Sequence, residues 1–226
     1  MSTDVWPRAV IFDFNGTLSD DEPLLYRVFS ELFMARLGWD LTEGDYFADL
    51  AGLSDREIIE RGVSRAGRHT ANGLVDELLL ERSRRYAALV AEENPVRADT
   101  RELVAALAAT GRSVAITTGA QRADVELVLS RIPEGRHFRV VVTEEDVDRG
   151  KPDPQGFLLA AAALGVAPAD TVVLEDSVAG IRAARAAGMT VLAVAGTRPA
   201  AELAAEGVTV VERLDPGLLD RFQFAD

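Results

Sequence analysis

The sequence predicts an α/β protein, a doubly wound parallel sheet with a small α-helical domain inserted near its start. Three observations point there. From residue 95 onward, short apolar runs alternate with helical stretches, the pattern of a parallel sheet with helices on both faces. Between residues 23 and 90 the apolar residues recur at helical spacing and no strand stands out. The length of 226 residues exceeds one minimal domain and falls short of two full ones, which suits a core carrying an insert. The expected division is a core of 1–18 with 95–226 and a helical insert of 19–94.

The elements follow in order. Residues 9–12 are a continuous apolar run, as expected of a buried central strand. Leu24, Leu25, Val28, Phe29, Leu32 and Phe33 share one helix face, and Gly38 breaks that pattern. Further helices are expected over 42–51, 55–66 and 73–92, the second opened by a capping box of Ser54 and Glu57. In the second half, helices are expected at 100–109, 122–131, 154–164, 178–187 and 199–206. Strands are expected between them at 113–116, 138–142, 171–174, 190–194 and 208–211. The Ala-rich helices read as close-packing faces.

Composition narrows the function. Hydrophobic residues make up 48% and charged residues 27%, enough for an ample core. A net charge of −13 argues against nucleic acid, and it means that an anionic ligand needs a local positive centre. Without cysteine, disulfides and zinc thiolate sites are excluded. His69 and His137 lie far apart and read as surface residues. The opening residues lack a charged segment with a long apolar one behind it, and no stretch approaches a membrane span, so a cytoplasmic protein is expected. Of 24 cationic residues a single one, Lys151, is lysine, a compact point charge where arginine is a planar fork.

Four segments carry chemistry-bearing side chains to strand ends, which in a parallel sheet share one edge. Asp13 follows the first strand. Taken alone, Asn15-Gly16 beside it reads as a hairpin turn. The three later segments outweigh that reading. Thr117-Thr118-Gly119 follows a strand and offers a hydroxyl and backbone N–H groups to a phosphate oxygen, although a helix N-cap would explain a threonine there equally well. Lys151 stands in Gly-Lys-Pro-Asp-Pro, a loop stiffened by two prolines, with Pro154 suited to a first helical turn. Glu175-Asp176-Ser177 places two acids after an apolar strand, which is costly unless they are paired or hold a cation. Asp13 and Asp176, with Glu175 beside them, make a natural Mg²⁺ site of oxygen ligands. The chemistry that uses all four segments is phosphoryl transfer, with Asp13 as nucleophile and Thr117 and Lys151 stabilising charge on the transferring group.

These motifs resemble the haloacid-dehalogenase-type superfamily, and most closely its subgroup of sugar-phosphate phosphatases and β-phosphoglucomutase with a helical cap after the first strand. Asp13-Phe14-Asn15-Gly16-Thr17 is similar to the first motif, Thr117 to the second and Lys151 to the third. Glu175-Asp176-Ser177 with Ala179-Gly180-Ile181 is similar to the fourth, and the resemblance spans residues 10–211. It implies a Rossmann-like core, a Mg²⁺-dependent aspartyl-phosphate mechanism, and the backbone carbonyl of Asn15 as a further metal ligand. It also implies that a small phosphorylated metabolite is the substrate.

One position departs from that pattern. The family's phosphatases carry a second Asp two residues after the nucleophile, as general acid and base, where this chain has Asn15. An amide keeps the carbonyl but trades no proton at neutral pH, and losing a general acid typically slows a reaction about 10²–10⁴-fold. Two readings therefore stand: a phosphohydrolase with altered acid chemistry, or a phospho-ligand binder disabled at Asn15. Specificity is expected to lie in the insert, hinged near 18–23 and 92–98. There Arg56 either meets a second anionic group of the substrate or pairs with Glu60 at i,i+4.

Overall fold

The computed structural model describes residues 7–67 and 73–222. The expectations for residues 1–6 and for His69 fall outside that range. Six strands form one parallel sheet: β1 (Ala9–Phe12), β2 (Ser113–Thr117), β3 (Phe138–Val142), β4 (Thr171–Glu175), β5 (Thr190–Val194) and β6 (Thr209–Val211). Their order is β3-β2-β1-β4-β5-β6. The chain starts in the middle of the sheet and winds outward in both directions, so β1 lies between β2 and β4 at the point where a doubly wound sheet binds its ligands.

The inserted block after β1 holds four α-helices among the described residues: α1 (Glu22–Leu37), α2 (Glu43–Asp45), α3 (Asp55–Arg65) and α4 (Leu74–Glu92). The remaining helices are α5 (Ala98–Ala109), α6 (Arg122–Ser130), α7 (Gln155–Leu164), α8 (Val178–Ala186), α9 (Ala200–Ala205) and α10 (Leu218–Arg221). Alternate strand residues feed two apolar layers, as the period of two requires. Val10 and Phe12 of β1 point into the layer that includes Leu103 and Leu107 of α5 and Val125 and Val128 of α6. Ile11, Ala115 and Val173 point into the other, filled by Phe157, Ala160 and Ala161 of α7 and Ala183 and Ala184 of α8. The alanines let these helices pack closely on the sheet, as their composition predicted.

Most predicted elements recur within two residues. The differences are informative. Thr117 and Glu175 are the last residues of β2 and β4 rather than loop residues, because both strands pair with their neighbours one step further. The 42–51 stretch is one α-turn continued as a π-helical turn over Tyr46–Leu50. Pro154 is the N-cap of α7 rather than part of its first turn. The capping box of Ser54 and Glu57 is present: Glu57 N donates to Ser54 Oγ at 3.3 Å and Ser54 N donates to Glu57 Oε2 at 3.0 Å. Asn15-Gly16 belongs to no hairpin. Gly16 N donates to Ser19 O and Ser19 N to Phe14 O, which curls the chain into a tight loop after β1. His137 is half-buried in a 3-10 turn over Pro133–His137. Among the described residues no helix is long and apolar enough to cross a membrane.

The helical block is fastened to the sheet by a feature the sequence did not announce. Arg82 of α4 is 0% exposed and pairs with Asp55 of α3 at 3.1 Å and with Asp124 of α6. Its guanidinium lies over the Tyr86 ring, 4.7 Å from the centroid. Two buried carboxylates from separate elements thus depend on one cation. Arg82→Leu leaves both uncompensated and should lower unfolding stability by about 3–5 kcal/mol, read from urea midpoints. A change below about 1 kcal/mol would mean that the pair contributes little to the fold.

Candidate active site

Asp13 directly follows β1, and its N–H donates to Leu174 O at 2.9 Å. Pairing of β1 with β4 in register, Phe12 beside Leu174, brings Asp13 up against Glu175 and Asp176. The three carboxylates are buried, and one oxygen of each lies within 4.8 Å of the others. Lys151, on the loop before α7, reaches between them. Its Nζ donates to Asp13 Oδ1 at 2.5 Å and Glu175 Oε2 at 2.7 Å, above the Phe157 ring. Thus the segments at 13, 151 and 175–176 converge as their placement at strand ends predicted.

Each acid is held differently. Glu175 uses both oxygens: Oε2 on Lys151, and Oε1 on Asp176 N, Ser177 N and Ser177 Oγ. Ser177 is also the N-cap of α8, accepting from Gly180 N at 3.0 Å. Asp176 Oδ1 accepts from Thr17 Oγ1 at 3.2 Å, while its Oδ2, close to Thr197, closes no well-aligned hydrogen bond. Two glycines make room for this cluster. A Cβ on Gly16, where φ is +74°, would fall 2.1 Å from Asp176 Oδ2. A Cβ on Gly180 would fall 2.0 Å from the Glu175 carboxyl.

Electrostatics follow from the burial. Desolvation first, and then the Glu175 charge, push the Asp13 carboxyl up to about 7 against the pull of Lys151. Burial, Asp13 and Glu175 push Asp176 well above the carboxylate range. Burial opposes the Lys151 charge, yet the two facing carboxylates hold its pKa above the ordinary lysine value. Three buried acids face one ammonium, so ionising all three is costly unless a further cation joins them. An all-oxygen donor set with an under-bonded Asp176 oxygen is what a hard divalent cation takes.

The second-motif residues divide. Thr117 Oγ1 is buried and has no hydrogen-bond partner, so it is free to meet a ligand oxygen. The Thr118 N–H is spent on Val142 O and its hydroxyl accepts from Ala120 N, while the N–H groups of Gly119 and Gln121 meet no acceptor among the described residues. Neither threonine caps α6, whose N-cap is Gln121. Asn15 lies beside Asp13, with its Nδ2 donating to Asp21 Oδ2 at 3.0 Å. Arg56 pairs with Asp76 at 3.0 Å, not with Glu60, and both members are largely exposed.

Every site residue expected from the sequence borders one cavity of about 530 Å³, between the strand ends and the helical block. Its lining also holds residues that the sequence did not single out: Glu22, Tyr46 and Asp55. Glu22 is 5% exposed and accepts from Tyr46 Oη at 2.7 Å.

A family model, the haloacid dehalogenase-like hydrolases, matches residues 7–188. The chain belongs to that family. Hexitol phosphatase B of Escherichia coli K12 is 34% identical over 195 residues, 86% of each chain. Protein CbbY of Rhodobacter capsulatus is 30% identical over 190 residues, 82% of this chain and 84% of that one. A solved structure of CbbY from Rhodobacter sphaeroides in complex with xylulose-(1,5)-bisphosphate shares the fold with a TM-score of 0.81 at 29% identity, covering 92% of this chain and 94% of that one. Membership makes this haloacid dehalogenase-like chain a hydrolase and agrees with the six-stranded parallel core. What family motifs could not supply is this part of the lining. Glu22 reads in sequence as an acid at a helix start, and Asp55 as part of a capping box. Only packing shows that both face the strand ends.

The charges on the site make stability depend on pH. Burial is the leading cause at each of four acids, raising Asp13 from 3.8 and Glu22 and Glu144 from 4.5 to about 7, and Asp21 from 3.8 to about 6. Between the ordinary and raised values the folded state keeps protons that the unfolded state has lost, so stability falls as pH rises through that window. Chelator-treated protein should therefore melt higher at about pH 5.5 than at about pH 7.5, and Mg²⁺ should recover more of the difference at the higher pH. A flat or rising melting profile across that range would contradict these assignments.

Proposed function

We propose that this hydrolase is a Mg²⁺-dependent phosphatase of a small phosphorylated sugar or polyol, working through a phosphorylated Asp13. The observation that carries this reading is the bridge of Lys151 between Asp13 and Glu175, beside the unpartnered hydroxyl of Thr117. Relatives named for hexitol phosphate hydrolysis, and a CbbY that binds a sugar bisphosphate, support the substrate class. The two arginines bordering the cavity, Arg56 and Arg149, are occupied by Asp76 and Asp153, which favours a ligand with one phosphate.

Lys151 holds Asp13 Oδ1, so Oδ2 is the oxygen left to attack phosphorus. The Thr117 hydroxyl and the Gly119 N–H receive phosphoryl oxygens, with Thr118 shaping the turn that presents them. Asp13, Asp176 and the Asn15 carbonyl would hold Mg²⁺, with Glu175 steadying the group, and the ion would neutralise charge on the phosphoryl oxygens. Water then releases phosphate from Asp13. The segment 19–94 serves as a cap that closes over the ligand. The hydrogen bond from Asp20 N to Pro95 O, 2.9 Å, ties its two connections together and supports hinges there.

The test is phosphate release from 4-nitrophenyl phosphate with Mg²⁺ or with a chelator. The native protein should turn over only with Mg²⁺, and Asp13→Asn should lose about 10³-fold or more. Asn15→Asp should gain little on this substrate, because a nitrophenolate leaves without a proton. If the native chain is inert while Asn15→Asp is active, the protein is a phospho-ligand binder instead.

A further inference from the structure

Cleaving an unactivated phosphate ester needs a proton for the departing oxygen, and Asn15 has none to give. Its Nδ2 is already committed to Asp21, and Asp21 is fully buried and does not border the cavity. The other acids of the cavity are mostly accounted for. Asp13 attacks, Glu175 is saturated, and Asp176 faces the metal side. Asp55 Oδ1 pairs with Arg82 at 3.1 Å. Glu144 sits among Asp55, Arg56 and Glu145, whose charges act on it, while that of Asp13 is not among its main influences.

Glu22 is different. It opens α1, borders the cavity, and forms no ion pair among the described residues. Tyr46 Oη donates to its Oε2, and Oε1 accepts no hydrogen bond. The charges of Asp21, Asp13 and Asp55 all act on it, so it shares the electrostatic surroundings of the nucleophile. In-line displacement puts the leaving oxygen on the side of phosphorus away from Asp13, inside the cavity that Glu22, Tyr46 and Asp55 line together with the strand ends.

We propose that Glu22 is the general acid and base of this site, in place of the carboxyl absent at residue 15. This assignment rests on the phosphatase reading above. As Asp13 Oδ2 bonds to phosphorus and the bond to the substrate oxygen breaks, the Glu22 carboxyl gives its proton to that oxygen and an alcohol leaves. A water molecule then attacks the phosphorus of phospho-Asp13 and gives a proton to the Glu22 carboxylate, and the Asp13–phosphorus bond breaks to release phosphate. Burial pushes the Glu22 carboxyl up to about 7, against the Tyr46 hydrogen bond, so both protonation states are accessible near neutrality.

The experiment compares native protein, Glu22→Gln and Glu22→Asp on phenyl phosphate and 4-nitrophenyl phosphate. Glutamine keeps the acceptor for Tyr46, so the fold should persist, which a thermal melt checks. In the formation of phospho-Asp13, read by acid quench in a single turnover, Glu22→Gln should lose about 10²-fold with phenyl phosphate, whose basic leaving oxygen needs a proton. That step should stay within about threefold with 4-nitrophenyl phosphate, while the later release of phosphate slows equally for both. Glu22→Asp should restore part of the phenyl phosphate rate. Equal losses on both substrates in that first step, or no loss on either, would overturn the assignment while leaving the phosphatase reading intact. Failure of native protein to hydrolyse either compound would remove both.

Discussion

The ammonium of Lys151, between the acid after β1 and the acid ending β4, is the contact on which the site depends. Adjacent parallel strands lie about 4.8 Å apart, so carboxylates at neighbouring strand ends crowd each other. One cation on a stiff loop relieves Asp13 and Glu175 together. Asp176 remains unpaired by Lys151, so the cluster keeps oxygen donors that could hold a metal ion rather than closing as an ion pair. The packing behind it is tight: neither Gly16 nor Gly180 could carry a Cβ without striking an acid. A point charge suits such a cradle better than a planar fork, which accounts for the only lysine of the chain.

Much of this was legible in the sequence, for a physical reason. Central parallel strands are continuous apolar runs, and polar residues at their ends are conspicuous. Asp13, Thr117 and Glu175-Asp176 stood out on that contrast and Lys151 as the single lysine in a proline-bounded loop, and the fold brings them together. Residues acting from helices gave no such signal. Glu22, Tyr46 and Asp55 lie on amphipathic segments where an acid or a tyrosine is ordinary, and they meet the strand ends only through tertiary packing. Arg82 was invisible for the same reason, since a sequence does not show which arginine is enclosed. Arg56 found Asp76 on the next helix rather than Glu60 on its own, because the i,i+4 rule ranks only intrahelical neighbours.

Asn15 sits in surroundings made for an amide. Its Nδ2 faces Asp21 Oδ2, which also accepts from Tyr86. A second carboxyl at residue 15 would meet the Asp21 carboxyl directly, and the two would share a proton. The departure at Asn15 is therefore matched by its neighbour, and the proton chemistry moves to a different wall of the cavity.

The central claim is that Asp13 becomes phosphorylated. The direct measurement is acid quenching of the first turnover with 4-nitrophenyl phosphate and Mg²⁺, followed by peptide mass analysis. The account predicts one phosphoryl group on the peptide containing Asp13, bound through an acyl linkage that hydroxylamine cleaves. Turnover with that peptide unmodified throughout, or with the phosphoryl group on another residue, would contradict it.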